Sequence, residues 1–217
     1  GSPHRAVSFA VPTGNFGDIF AGYAAKVMGL PVKRLVIATN LNDSLSRALS
    51  TGIYEPRGVI ATSSPSMDIQ LASNFERLLF ELAGRDGARV RARTAELRRT
   101  GAFHLEAGEL AELRALCATH SSDEHKPEMT SRNLYAETGV VIDPHTAVGL
   151  AAARQENVGT PMIVLSTAHP AKFPDAMEAI TRGAYDFFTK PLKMAEFQVV
   201  VARALDRRRL QQQVKVL

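Results

Sequence analysis

Apolar residues fall along this chain in two alternating rhythms. Val7-Ser8-Phe9-Ala10-Val11 is a short β-prone run that ends at Pro12-Thr13-Gly14, and Arg34-Leu35-Val36-Ile37-Ala38 is a continuous apolar run. Runs of this length predict buried strands. Between them Ile19, Phe20, Tyr23, Ala24 and Val27 recur three and four residues apart, a helical stripe from Gly17 to about Met28. Gly29 and Pro31 then supply the usual C-terminal punctuation. Asn42 or Asp43 caps a further helix that reaches about Ser50.

From residue 53 to 138 the pattern turns mostly helical, with polar loops. Ile69, Leu71, Phe75, Leu78, Leu79 and Leu82 predict one helix from Ser66 to about Leu82, ended by Gly84 and Gly87. Leu110, Leu113 and Leu116 mark another from Glu106 through Cys117, and residues 121–127 read as a loop. The alternation resumes at Val140-Val141-Ile142, a short strand. Asp143-Pro144 opens a helix to about Gln155, with Asp143 as N-cap and the proline in the first turn. Strands follow at 162–166 and 185–188, with a helix near 175–181 between them and a long helix from about Met194. Strand–helix alternation predicts an α/β fold, a doubly wound parallel sheet with helices on both faces. The five strands would stand in flavodoxin-like, or Rossmann-like, order, with 53–138 as a helical insertion.

Composition adds limits. At 217 residues the chain holds one large domain or two small ones and can bury a full core unaided. The single Cys117 excludes a disulfide framework and a cysteine-based zinc site, and agrees with a reducing cytoplasm. No apolar stretch is long enough for a membrane span. Gly1-Ser2 reads as a remnant of tag removal, with residues 1–4 a lead-in. The net charge of +4 is local: Arg85, Arg89, Arg91, Arg93, Arg98 and Arg99 form one cluster, and Arg203, Arg207, Arg208 and Arg209 another. Such runs read as solvated helix faces. With aromatics at 6% and no Trp, nucleic-acid binding has little to stack on and is set aside.

In parallel sheets ligands bind beyond the carboxyl ends of the strands, so the loops that follow them carry the candidate chemistry. Thr13-Gly14-Asn15-Phe16-Gly17 joins a strand to a helix. Its glycines let backbone approach an anion, the helix N-terminus offers N–H groups, and Thr13 and Asn15 add side-chain donors. An ordinary strand-to-helix turn would use the same glycines.

Read with its neighbours, the loop belongs to an ordered set of strings. Pro12-Thr13-Gly14-Asn15-Phe16-Gly17-Asp18 is followed by Ala38-Thr39-Asn40-Leu41-Asn42-Asp43, then Ser64-Pro65-Ser66-Met67-Asp68-Ile69, then Ser73-Asn74-Phe75-Glu76-Arg77-Leu78. Asp143-Pro144-His145-Thr146-Ala147-Val148-Gly149 and Ser166-Thr167-Ala168-His169-Pro170-Ala171-Lys172-Phe173 complete it. Over residues 5–175 the chain resembles the bacterial and fungal class of threonine synthase, a pyridoxal-phosphate (PLP) lyase. The resemblance implies that Thr13, Gly14, Asn15, Phe16 and Gly17 hold the cofactor phosphate and that Thr167 hydrogen-bonds the pyridine nitrogen. It implies that Asn15 also touches the region of the ring hydroxyl. His145 and Lys172 lie in matching strings and receive no role; a helix-start residue and a surface lysine are the preferred readings. In that family a lysine of an earlier domain forms the Schiff base, and Lys26, Lys33, Lys126, Lys172, Lys190 and Lys193 all stand outside its motif. The implied reaction of the whole family, phosphohomoserine to threonine and phosphate, therefore lacks its covalent anchor here, and no catalytic residue is assigned.

The last part of the sequence is similar to something else. Residues 176–217, with Gly183-Ala184-Tyr185-Asp186-Phe187 and Thr189-Lys190-Pro191, resemble the last third of a response-regulator receiver domain of the nitrogen-regulatory type. In receivers the lysine matching Lys190 contacts the phosphoryl group, as does a hydroxyl matched by Thr167. The acidic pair of that family is absent, Pro12-Thr13 standing in its place, and Asp143 reads as a helix cap, so no metal site and no receiver phosphoryl transfer are expected. The two resemblances meet inside a helix rather than at a linker, which points to an engineered chimera forming one composite domain. The resulting expectation is a cytoplasmic protein without turnover that binds phosphate or PLP weakly and non-covalently, with a dimer through the C-terminal helix as an option. The alternative is a truncated threonine synthase that needs its missing N-terminal domain.

Overall fold

A computed structural model describes residues 5–156 and 158–173. The strands and helices predicted for 175–217, the receiver-like segment with Lys190, and the C-terminal helix lie outside the described residues.

β1 (Val7–Pro12), α1 (Gly17–Val27), β2 (Val32–Thr39) and α2 (Ser44–Thr51) follow the order the apolar pattern predicts. β3 (Ile53–Tyr54) comes next, and α3 (Phe75–Leu82) and α4 (Gly87–Thr100) precede β4 (Phe103–His104). The chain continues through α5 (Ala107–Leu116), β5 (Cys117–Ser121), α6 (His125–Thr138), α7 (Pro144–Ala153) and β6 (Met162–Val164). The main sheet is parallel and four-stranded, in the order β5-β2-β1-β6, while β3 and β4 form a small antiparallel pair of their own.

Three expectations need correction. Val140-Val141-Ile142 is not a strand, and Val140 is half exposed. The place beside β1 that it would take belongs to β6, which pairs Ser8 with Met162 and Ala10 with Val164. The stretch 53–138 is not purely helical: it supplies β5, which extends the sheet beyond β2 by pairing Leu35 with Cys117 and Thr39 with Ser121. β5 leaves α5 with no intervening loop, Cys117 turning extended at φ −113° and ψ 146°. Finally, the single helix predicted from Ser66 to Leu82 is broken. A one-turn 3₁₀ segment, Pro65–Met67, comes first, and α3 begins only at Phe75. The backbone between is held by other partners: Ala72 N–H donates to the Tyr54 hydroxyl at 2.8 Å, and Ser73 N–H to Asn15 Oδ1 at 2.6 Å.

Two cores flank the sheet. On one face Val11, Leu35 and Ile37 pack with Phe16, Ile19, Leu45, Tyr54, Phe75, Leu78 and Leu113. On the other, Ala10, Val36 and Ala38 meet Met67, Val148 and Ala152. The second face is lined by small side chains, so α7 lies close: a Cβ on Gly149 would stand 3.0 Å from the Pro12 ring and 3.2 Å from Val164. The arginine-rich α4 departs from a wholly solvated face at one point. Arg93 is buried and ion-paired with Glu109, beside an Arg89 pair to Glu106.

These packing contacts give opposite expectations for two glycines. Gly149→Val should cost about 1–3 kcal/mol by overpacking against β1 and β6. Gly108→Ala lies in α5 with nothing within 4 Å of the added carbon, and should gain about 0.5–1 kcal/mol. Urea unfolding of both variants checks the pair.

Candidate functional site

The sheet order places its switch point between β1 and β6. The chain leaves β1 toward β2 and β5 on one side, then crosses back to add β6 on the other. The loops that follow β1 and β6 therefore diverge and leave a crevice between them, the place where open α/β sheets take ligands.

A cleft of about 260 Å³ occupies this crevice. Thr13, Gly14, Asn15, Phe16 and Gly17 line it after β1, and Thr167 and Ala168 line it after β6. Ser66, Met67, Asn74 and His145 close the remaining walls. Of the residues singled out in the sequence, the structure thus brings Thr13–Gly17 and Thr167 together, while Lys190 lies outside the described residues. Exposed Lys172 is not part of the cleft, nor is any of Lys26, Lys33 and Lys126. His145, left without a role by sequence reasoning, is a wall residue. Its signals were the Asp-Pro-His-Thr helix start and its place in a string shared with the resembled family.

Local chemistry shapes the loop. Thr13 N–H prolongs the sheet ladder to Ala38 carbonyl at 2.8 Å, and its hydroxyl donates to Val11 carbonyl at 2.6 Å. Gly14 passes so near the 3₁₀ turn that a Cβ would lie 2.8 Å from the Ser66 carbonyl oxygen. Asn15 Oδ1 accepts from both the backbone and the hydroxyl of Ser73, at 2.6 and 2.9 Å. Phe16 holds the N-cap of α1 at φ +69°, a left-handed conformation usually left to glycine. Its side chain is 1% exposed and meets Phe75 edge-on, ring centroids 5.1 Å apart. The first-turn N–H groups of α1 at Gly17, Asp18 and Ile19 have no preceding helical turn to bond to, and the helix dipole adds partial positive charge there. Such an end suits an anion, with the Asp18 carboxylate at the same end as a competing charge.

Opposite the loop lies a buried polar chain. Asp143 is fully buried and caps α7, accepting from the backbone N–H of His145 at 2.9 Å and of Thr146 at 3.4 Å, and from the Thr146 hydroxyl. His145 Nδ1 lies 2.9 Å from the same carboxylate, and its Nε2 accepts the Ser66 N–H at 3.1 Å. Burial alone would raise the Asp143 carboxyl, but the hydrogen bonds from His145 and Thr146 outweigh it and the group titrates below its ordinary value. Cys117, the one thiol, sits in the core with its pKa pushed up to about 12 by burial and takes no part. Among the described residues no group of His, Cys, Asp and Glu is placed to hold a metal ion, and no helix is long and apolar enough to cross a membrane.

A carboxyl whose folded pKa is depressed adds stability above its unfolded pKa and loses it as the pH falls through the folded value. Asp143→Ala should therefore cost about 0.5–2 kcal/mol for the cap alone at neutral pH, and more because His145 and Thr146 lose their acceptor. Its deficit against the parent should shrink on acidification below the ordinary carboxylate range, as urea unfolding over a pH series would show.

Comparison with known proteins gives a consistent result. The family model "Threonine synthase, C-terminal" matches residues 146–217. Threonine synthase of Pseudomonas aeruginosa is 46% identical over 180 residues, which is 82% of this chain and 38% of that protein. The crystal structure of PLP-bound threonine synthase from Brucella melitensis superposes with a TM-score of 0.80 at 54% identity, over 83% of this chain and 39% of the other. The yeast threonine synthase structure gives 0.78 at 37% identity, over 93% and 44%. The chain spans about two-fifths of the length of these relatives. In sequence and in its α/β architecture, then, it is similar to about two-fifths of these threonine synthases.

Proposed function

We propose that this chain is a piece of a threonine synthase and that its part in the reaction is to hold PLP by its phosphate. The observation that carries the reading is the convergence of Thr13–Gly17 and Thr167 on one cleft at the switch point of the sheet. The donor set suits a phosphate: a glycine-bearing loop and the N-terminus of α1. When bound, PLP supplies an electron sink for carbanion chemistry. This chain's own residues would fix the phosphate at Gly14–Gly17 and meet the pyridine nitrogen with the neutral Thr167 hydroxyl. The whole reaction, phosphohomoserine to threonine and phosphate, is proposed for the longer protein. Holding the cofactor, rather than turnover, is the part proposed for this segment. A cytoplasmic setting goes with this reading.

The receiver-like strings in 176–217 leave a second reading, a graft of two α/β proteins. The threonine synthase family model runs through residue 217, across those same strings, and this favours a single parentage.

Thermal melting with PLP, and with inorganic phosphate as a second probe, tests the binding. At about 100 times its Kd a ligand adds about 2.7 kcal/mol, a rise of roughly 5–10 °C in Tm for a chain of this size. Thr167→Ala should weaken PLP about three- to tenfold and leave phosphate unchanged, because only the ring partner is lost. A Tm that responds to neither probe overturns the reading.

A further inference from the structure

One wall of the cleft has almost no regular structure to hold it. Ser64–Met67 makes a single turn, closed by Met67 N–H to Ser64 carbonyl at 2.9 Å and by Asp68 N–H to Pro65 carbonyl at 3.1 Å. Yet this turn must be placed accurately, because the Ser66 carbonyl oxygen packs directly on Gly14 with no room for a Cβ between them. A shift of the turn moves the loop that would receive the anion.

What fixes Ser66 is its other peptide group. The Ser66 N–H is donated to His145 Nε2 at 3.1 Å. A ring nitrogen that accepts carries no proton, so the imidazole proton sits on Nδ1 and is donated to Asp143, 2.9 Å away. Asp143 is itself locked by two backbone N–H groups of α7 and by Thr146. The ring is 2% exposed and stacks at an angle on Phe173, centroids 5.0 Å apart. The result is one continuous chain, Asp143 to His145 to Ser66 to Gly14, from the N-terminus of α7 to the candidate anion loop.

The geometry points to His145 as a positioning residue for the anion cradle, acting through the Ser66 peptide. This rests on the reading that the loop binds phosphate, and it goes beyond that reading by assigning His145 a role. The requirement is specific: an acceptor at the position of Nε2. An apolar side chain of similar bulk would fill the space and leave the Ser66 N–H without its acceptor. A glutamine carries its amide oxygen to the Nε2 position and restores the acceptor.

The experiment uses the full chain, with PLP and inorganic phosphate as probes in titration calorimetry and hydrogen exchange of the Ser66 amide as a readout that needs no ligand. His145→Leu should weaken both probes about tenfold and speed Ser66 exchange by a similar factor, and His145→Gln should restore both to within about threefold. If His145→Leu fails to fold, His145→Asn carries the same test, since it keeps a polar group for Asp143 but falls short of Ser66. Parent-like affinity in the Leu or Asn variant overturns the positioning role and leaves phosphate binding standing. If the parent chain binds neither probe, the phosphate reading falls and the cradle role falls with it, and unchanged Ser66 exchange in the variant overturns the His145–Ser66 link as well.

Discussion

The central strand β1 fixes where everything else can go. It is paired on both sides, to β2 through Ala10–Val36 and Val11–Ile37 and to β6 through Phe9–Ile163 and Ala10–Val164. Being locked in register twice, it delivers Pro12 and Thr13 to one defined point at the carboxyl edge of the sheet. The first N–H beyond the strand, that of Thr13, still belongs to the ladder. The candidate anion loop starts on the next residue. A one-residue slip would reverse the faces of Ala10 and Val11 and set a bulky residue against α7, where the packing accepts only small ones.

The irregular stretch between β3 and α3 is organised by polar side chains rather than by apolar burial. Asn40 Nδ2 donates to Thr62, Ser64 and Asp68, and Asn42 Nδ2 to the Ile60 carbonyl and to Asp68. Asp68 in turn accepts the backbone N–H and the hydroxyl of Thr62. Asn40 and Asn42 sit at the carboxyl edge of β2 and are almost fully buried, so this network ties the coil of residues 60–70 to the end of a central strand. Together with His145 on the opposite side it sets the turn at Ser66 between two fixed bodies.

Much of this was legible in the sequence, for identifiable reasons. β1 and β2 announce themselves by apolar runs, α1 by apolar residues three and four apart, and α7 by the Asp143 cap; α2 lies where it was expected, but Asp43 at its N-cap makes no side-chain capping bond. The Thr13–Gly17 loop was legible because loops after parallel strands are where ligands go, and Thr167 through its resemblance to a family string. β5 was hidden: among the described residues it ends the sheet, it is mostly half-buried, and it follows α5 without a glycine or proline to mark the change. The false strand at 140–142 is apolar, but β6 had already taken the only place beside β1. The break before α3 was hidden too, since the residues that compete for its backbone, Tyr54 and Asn15, lie far away in sequence. His145 belongs to the same class, because its partner Ser66 is 79 residues distant.

The left-handed Phe16 links the loop to the core in a way a glycine would not. A non-glycine residue there costs on the order of 1–2 kcal/mol, and the structure sustains it by burying the ring against Phe75, which in turn meets Tyr54 at 5.4 Å, which meets Phe103 at 5.1 Å. The backbone shape of the loop is thus enforced by an aromatic column rooted in the small β3–β4 pair. Loop conformation and core packing are therefore coupled: whatever loosens the column releases the strain at Phe16, and whatever grips the loop bears on a hydrophobic cluster that reaches to Tyr54 and Phe103.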